Sequence, residues 1–503
     1  MSQLSDPTQR TILFLIADTG AGHRSAANAI NNAIRLIAQQ EQEAWLARHQ
    51  RDSLVDDAAS GSLTAKNDLP PSTYRVEIVD VFEEYSRFPL REAVKLYGPT
   101  IRYNPKLYGE IFRRSNRESS MMTVSSLTSP LILNGLLRLF TTIQPDVIVS
   151  IHPMINFVTI RALRQLGLRI PFITVVTDLV SLHFSWFAPG ADAYIVPTEQ
   201  AKQLYLKRKL DPKRVHMLGM PIDPKYTLEV ESKAELRRKF NLLPDVPVVL
   251  LVGGGDGAGG LHAAVRAISQ AHLPVQLLVV TGRNKKLYAQ LQRTRARLHV
   301  PARILGFVNN MPELMHAADV IITKAGPGTI CEALACNLPI ILSGYVPGQE
   351  EGNIDYVVHN DVGVLAMDAS TLVDELRRLI KPGSPELRRR LANAQKLSRP
   401  SSSFGIAHQI IEFLPKPDQA SIWQSQGSQI VRQRMSGRLQ SAIRLRRSHK
   451  PIPKTSTLKT RVPGVRVSAK RSVSRLFSKT RDISTEGPEQ LPKPSLRKII
   501  DWI

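Results

Sequence analysis

Short, nearly unbroken apolar runs recur along this chain. Each is followed by a turn of small or polar residues, then by apolar positions spaced three and four apart. Residues 11–17 (TILFLIA) form one such run, and Ala26, Ala27, Ile30, Ile34 and Ile37 mark the helical stripe behind it. Runs this short that do not alternate suit strands buried on both faces of a parallel sheet. Further strands are expected at 75–81, 145–153, 171–178, 193–198 and 215–222. A second series follows at 247–252, 275–280, 302–305, 319–323, 338–342 and 362–365. Alternating strands and helices imply an α/β fold with parallel sheets covered on both sides. The expected layout is a Rossmann-like doubly wound domain over 1–225 and a second over 226–400, facing each other across a cleft. A closing helix at 401–416 and a tail over 417–503 complete it.

Three of the predicted strands run into glycine turns that open helices. The first turn holds Gly20 and Gly22, with His23 at the helix start. The second is the glycine-rich run 253–260, which includes Gly254 and Gly255. The third is Thr323-Lys324-Ala325-Gly326-Pro327-Gly328-Thr329. Glycine lets backbone approach a ligand, and the first N–H groups of a helix have no internal partner and point at its positive end. A phosphate suits such a place, and Glu332, one turn further in, is in reach of a sugar hydroxyl. The third turn therefore suggests a nucleoside diphosphate with its ribose held by a carboxylate, although a single such turn is also what tight βα packing requires.

Other polar residues stand where a cleft would be. His23 titrates near neutral pH and suits a general base; a histidine that caps the turn or binds an anion is the plainer alternative. His152 and Asp178 each end a strand, where either orients an acceptor, pairs with His23, or simply satisfies a strand end. Gln349, Glu350 and Asn353 cluster after Pro347-Gly348, as a shaped ligand contact would. Residues 82–117 interleave Tyr and Phe with Arg and Lys. That mixture fits a membrane-facing platform, or core aromatics beside solvated charges.

Charge changes the picture at the C-terminal end. Among 503 residues the formal net charge is +24, and 417–503 hold 19 Lys and Arg against 5 Asp and Glu. This segment is rich in Ser, Thr, Pro and Gln and lacks apolar periodicity, so a mostly disordered basic tail is expected. It would seek a polyanion, either nucleic acid or an anionic lipid surface. Its last residues, 496–503, either form a short amphipathic anchor around Trp502 or stay solvated. No apolar run approaches the roughly 20 residues needed to span a bilayer. Cys331 and Cys336 match no zinc spacing and cannot form a disulfide framework. No aspartate pair has metal-ligand spacing, so neither metal nor cofactor is expected.

The motifs together resemble the monogalactosyldiacylglycerol synthase and processive diacylglycerol glycosyltransferase branch of the GT-B glycosyltransferases, over roughly residues 11–415. Residues 18–27 (DTGAGHRSAA), 151–153 (IHP), 177–186, 323–329 (TKAGPGT) and 347–353 (PGQEEGN) carry the resemblance. Ala21 stands where a third glycine is common. The resemblance implies inverting transfer of a hexose from a UDP-sugar, as co-substrate, to diacylglycerol, with the donor on the C-terminal domain and the acceptor on the N-terminal one. It implies that His23 is the base, with Asp178 beside it in the catalytic group. Gly20, Gly22, His152, His183 and Trp186 would face the acceptor. Gly254 and Gly255 would form a donor-side loop, and the Phe307 backbone would meet the uracil. Gly326, Gly328 and Thr329 would hold phosphate, Glu332 the ribose, and Gln349, Glu350 and Asn353 the sugar. The expected setting is the inner face of the cell membrane, with the tail on anionic lipid and no role for nucleic acid. A lipid-linked amino sugar as acceptor, a UDP-sugar 2-epimerase and a nucleic-acid-binding protein are the competing readings.

Overall fold

A computed structural model of the chain describes residues 9–56, 70–228, 230–253 and 260–423. The expected donor-loop glycines Gly254 and Gly255, and the basic tail from 424 onward, lie outside these residues.

Two six-stranded sheets carry the fold, and every strand pair is parallel. The first contains β1 (Gln9–Ile16), β2 (Thr73–Asp80), β3 (Val147–Ser150), β4 (Phe172–Val175), β5 (Ala193–Val196) and β6 (Val215–Met217), ordered β2-β1-β3-β4-β5-β6. The second contains β7 (Val248–Val252), β8 (Gln276–Val280), β9 (Ala302–Leu305), β10 (Val320–Lys324), β11 (Ile340–Gly344) and β12 (Gly363–Leu365), ordered β12-β11-β10-β7-β8-β9. This is the doubly wound GT-B architecture expected above. In each sheet the strand order reverses once, between β1 and β3 and between β7 and β10. Ligands of open α/β sheets bind beyond the carboxyl ends of the strands at such reversals. His23 follows β1, His152 follows β3, and the Lys324–Gly328 turn follows β10.

Burial explains why the strands read as unbroken apolar runs. In β1, Leu13 and Leu15 pack with Leu136 and Phe140 on one face. Ile12, Phe14 and Ile16 pack with Ala27, Ile30 and Ile34 on the other. All of these side chains are fully buried. Cutting Phe14 to alanine would cost about 3–5 kcal/mol.

The helix Ser402–Glu412 returns to the first sheet. Its Ile406, Ala407 and Ile410 join the same core as Ile30 and Ile34. Beyond it the chain stays fixed past the expected tail boundary at 416. The buried Arg10 donates to the carbonyls of Pro415 at 2.9 Å, Lys416 at 2.7 Å and Gln419 at 2.9 Å. Ser421 Oγ reaches Asp146 Oδ1 at 2.8 Å, and Trp423 Nε1 donates to the Pro145 carbonyl at 2.9 Å. Among the described residues no helix is long and apolar enough to cross a membrane.

The mixed aromatic and basic stretch folds into short helices, Val81–Tyr85, Leu90–Lys95, Tyr97–Tyr103 and Pro105–Ser115. Its aromatic residues divide between two settings. Phe88, Leu96 and Tyr103 are exposed to solvent. Tyr97, Tyr108 and Phe112 instead meet the 345–352 loop of the second sheet. The approach is close enough to need glycine on both sides. A Cβ on Gly109 would lie 2.8 Å from Pro347 Cβ, and one on Gly348, whose φ is +79°, 3.1 Å from Phe112 Cδ1.

Candidate active site

The turn after β1 sets His23 in the first turn of the helix Ala21–Asp56. The backbone N–H of Asp18 donates to Asp80 Oδ2 at 2.8 Å, and the Asp18 carboxylate grips Arg24 at 2.7–2.9 Å. These bonds fix the turn. His23 Nδ1 lies 3.3 Å from Thr177 Oγ1, and its ring stands edge-on to His152 with centroids 4.7 Å apart. Although His23 keeps some exposed surface, the ring is packed about closely. Desolvation lowers its pKa from 6.5 to about 4, against opposing pulls from the Ile151 backbone and Asp18. Burial also lowers the pKa of His152, and the neighbouring His23 and His183 add to this. The site thus presents neutral imidazoles at pH 7. Nδ1 of His152 is buried and has no hydrogen-bond partner among the described residues.

Asp178 does not pair with His23. Its neighbour Thr177 reaches that ring, while Asp178 Oδ2 accepts from Trp186 Nε1 at 2.7 Å. Burial raises its pKa from 3.8 to about 6, opposed by the Trp186 bond and by the nearby Gln349 side chain. Trp186 is 0% exposed, so it cannot line an acceptor surface and instead positions Asp178. His183 is likewise buried. It caps a short helical turn, 2.7 Å from Ser185 Oγ through Nδ1 and 3.2 Å from Ser115 Oγ through Nε2.

On the second sheet, β10 runs into the helix Pro327–Ala335, whose cap Gly326 makes no side-chain capping bond. The register with β11 slips between Thr323 and Lys324. The side chain of Lys324 pairs with Glu350, whose other oxygen accepts from the Val346 backbone at 2.8 Å. Glu350 thus has both carboxylate oxygens engaged within the protein. Gln349 is likewise occupied: its Oε1 accepts from Tyr97 at 3.0 Å and Tyr108 at 2.8 Å. Asn353 Nδ2 donates to the Ala325 carbonyl at 2.9 Å, which staples the glycine turn. Its buried Oδ1 has no partner among the described residues. Gly20, Gly22 and Gly328 have open space where a Cβ would stand. Thr329 follows Gly328 in the first helical turn. Burial raises the pKa of Glu332 to about 7, opposed by the nearby Tyr226 side chain. Phe307 is 59% exposed, with the Arg283 guanidinium 5.5 Å from its ring centre.

A continuous chain of contacts therefore joins the two sheets. Thr177 and Asp178, adjacent in sequence, meet His23 and Gln349. Gln349 and Glu350, also adjacent, meet Asp178 and Lys324. A second join comes from the Gly352 N–H, which donates to Ser181 Oγ at 3.0 Å. Sequence reading placed Thr177 and Lys324 inside motifs without giving them tasks. It saw Tyr97 and Tyr108 only as members of a mixed stretch. No local signal points from position 108 to position 349.

Two family profiles match this chain: monogalactosyldiacylglycerol (MGDG) synthase over residues 56–222 and the glycosyltransferase family 28 C-terminal domain over 248–407. A probable monogalactosyldiacylglycerol synthase 2 of Oryza sativa subsp. japonica is 34% identical over 421 residues, covering 81% of each chain. Monogalactosyldiacylglycerol synthase 1 of Arabidopsis thaliana is 32% identical over 419 residues, covering 81% of this chain and 72% of its own. Both relatives are described as chloroplastic. A solved Listeria monocytogenes structure, assigned as a UDP-N-acetylglucosamine 2-epimerase, shares the fold. It has a TM-score of 0.51 and 13% identity, covering 82% of this chain and 99% of its own. With relatives this similar over most of both lengths, the chain belongs to the monogalactosyldiacylglycerol synthase family.

Proposed function

We propose that this protein transfers a galactosyl group from UDP-galactose to the free hydroxyl of diacylglycerol, with inversion at the anomeric carbon. The hexosyl transfer follows from the family, and the choice of galactose from what its named members make. The observation that carries the site assignment is the row of neighbouring polar groups from His23, through Thr177-Asp178 and Gln349-Glu350, to Lys324 at the glycine turn. It links a neutral imidazole on one sheet to an uncapped helix start on the other.

Inverting transfer needs a base on the acceptor, stabilisation of the departing diphosphate, and alignment of the two. His23 takes the hydroxyl proton. The first backbone N–H groups of the helix Pro327–Ala335, at Gly328 and Thr329, face the diphosphate. The reaction then needs no metal. Glu332 meets the ribose, and the backbone at Phe307 meets the uracil. Asp178 is a positioning residue: it holds the Gln349 amide and so aligns the two sheets. The enzyme works on a membrane surface at the cytoplasmic face of the cell membrane, with the basic tail on anionic lipid.

A donor panel tests this. Radiolabelled UDP-galactose, UDP-glucose and UDP-N-acetylglucosamine are each incubated with diacylglycerol vesicles, with and without anionic lipid and with excess chelator. Labelled lipid is expected from UDP-galactose, more of it with anionic lipid, and undiminished by chelator. A new sugar nucleotide from UDP-N-acetylglucosamine alone, or no labelled lipid from any donor, overturns the reading.

A further inference from the structure

Lys324 occupies an electrostatically awkward place. It ends β10 where the register against β11 slips, a device that re-aims a side chain at a strand end. A Cβ on Gly326, the helix cap, would lie 3.1 Å from Lys324 Nζ and 3.8 Å from Glu350 Oε1. An ammonium thus stands beside the positive end of a helix dipole, where cations are disfavoured and anions favoured. Glu350 offsets this only in part. It is the buried member of the pair, with a side chain 6% exposed against 25% for Lys324, and its second oxygen is held by the Val346 N–H. The carboxylate is fixed, and the ammonium is the member open to solvent. Next to them the buried Asn353, stapled to the Ala325 carbonyl, has an oxygen with no partner among the described residues.

We infer that Lys324 is a catalytic residue for the departure of UDP, held in reach by Glu350, and that it takes the place of a metal ion. This rests on the transferase reading above. As the acceptor oxygen bonds to the anomeric carbon, its proton passes to His23. The bond from that carbon to the diphosphate oxygen breaks, and the electron pair stays on the leaving phosphate. Charge on that oxygen grows through the step, so a donor fixed beside it stabilises the transition state more than the bound substrate.

The test compares Lys324→Met, Lys324→Arg and wild type on diacylglycerol vesicles, with UDP, UMP and uridine as competing ligands. Loss of one such donor typically lowers kcat by about 10²-fold or more. For Lys324→Met we expect a fall of that order in kcat, weaker inhibition by UDP, and unchanged inhibition by uridine. Lys324→Arg should recover part of kcat. If Lys324→Met turns over like wild type, or if UDP and uridine inhibition weaken together while arginine restores nothing, Lys324 is structural and the inference is wrong. Failure of the transferase reading looks different, because wild type itself then yields no labelled lipid.

Discussion

Tyr108 Oη donates to Gln349 Oε1 at 2.8 Å, although one lies on a helix between β2 and β3 and the other in the loop after β11. Tyr97 donates to the same oxygen at 3.0 Å. With both hydroxyls on its oxygen, the Gln349 amide is oriented, and its nitrogen, which can serve only as donor, lies near Asp178. One side chain therefore senses the helical arm, the first sheet and the glycine loop together.

Removing that side chain should matter more than removing either tyrosine hydroxyl. Gln349→Ala leaves several buried polar groups unpaired, at about 1–3 kcal/mol each. Its melting temperature should drop by several degrees and its donor KM should rise. Tyr108→Phe and Tyr97→Phe each leave Gln349 one hydroxyl partner and should be milder. Thermal melts and donor titrations of the three variants check this ranking.

The base should show its burial in the pH profile. With a pKa near 4 instead of 6.5, His23 is already neutral at mildly acidic pH. The acid limb of kcat/KM assigned to His23 should fall well below 6.5, and His23→Asn should lower the rate by at least about 10²-fold. A limb at 6.5 that His23→Asn abolishes would show a solvated imidazole.

Asp178 makes an opposite demand on stability. Its folded pKa, about 6, lies above its ordinary value of 3.8. Between those values the folded state binds more protons, so this group's contribution falls as pH rises through the window. His23 acts the other way between 4 and 6.5, because there the unfolded state binds more protons. Asp178→Asn isolates the first effect. It should stabilise the protein at pH 8 by on the order of 1–3 kcal/mol, and the gain should vanish near pH 4. Denaturant titrations at the two pH values measure it.

Two glycines, each second in its helix, should separate folding from function. Gly328 has nothing within 4 Å of its Cβ position, so Gly328→Ala should melt like wild type and bind UDP poorly. A Cβ on Gly352 would collide with Ser181 Oγ on the first sheet, so Gly352→Ala should lower stability itself. Melting curves and UDP titrations on both variants are the measurement.

The strands were legible because a strand buried on both faces needs apolar residues at consecutive positions, as in β1, β7 and β10. A boundary moved by one residue at Lys324, where backbone pairing outlasted the apolar run, and by three to five at the ends of β3, β4 and β6, where pairing stopped before the run did. The glycine turns were legible for a related reason, since backbone must turn sharply there whatever surrounds it. Side-chain tasks were not. Trp186 reads as an amphipathic aromatic in a loop, and only its packing shows that it is enclosed and serves Asp178. Gln349 and Glu350 read as ligand contacts because they are polar and clustered. Their partners within the protein, Tyr97, Tyr108 and Lys324, lie far away along the chain, and no periodicity encodes that distance.

The seating of residues 415–423 decides where a truncation can be made. Arg10 and Asp146 sit at the amino ends of their strands, and they hold this segment against the side of the sheet remote from His23. A cut at 416 would strip the Gln419 carbonyl from an enclosed guanidinium and unseat Trp423, so damage to the scaffold would masquerade as a lost membrane tether. A stop codon after Trp423 keeps that buckle fastened.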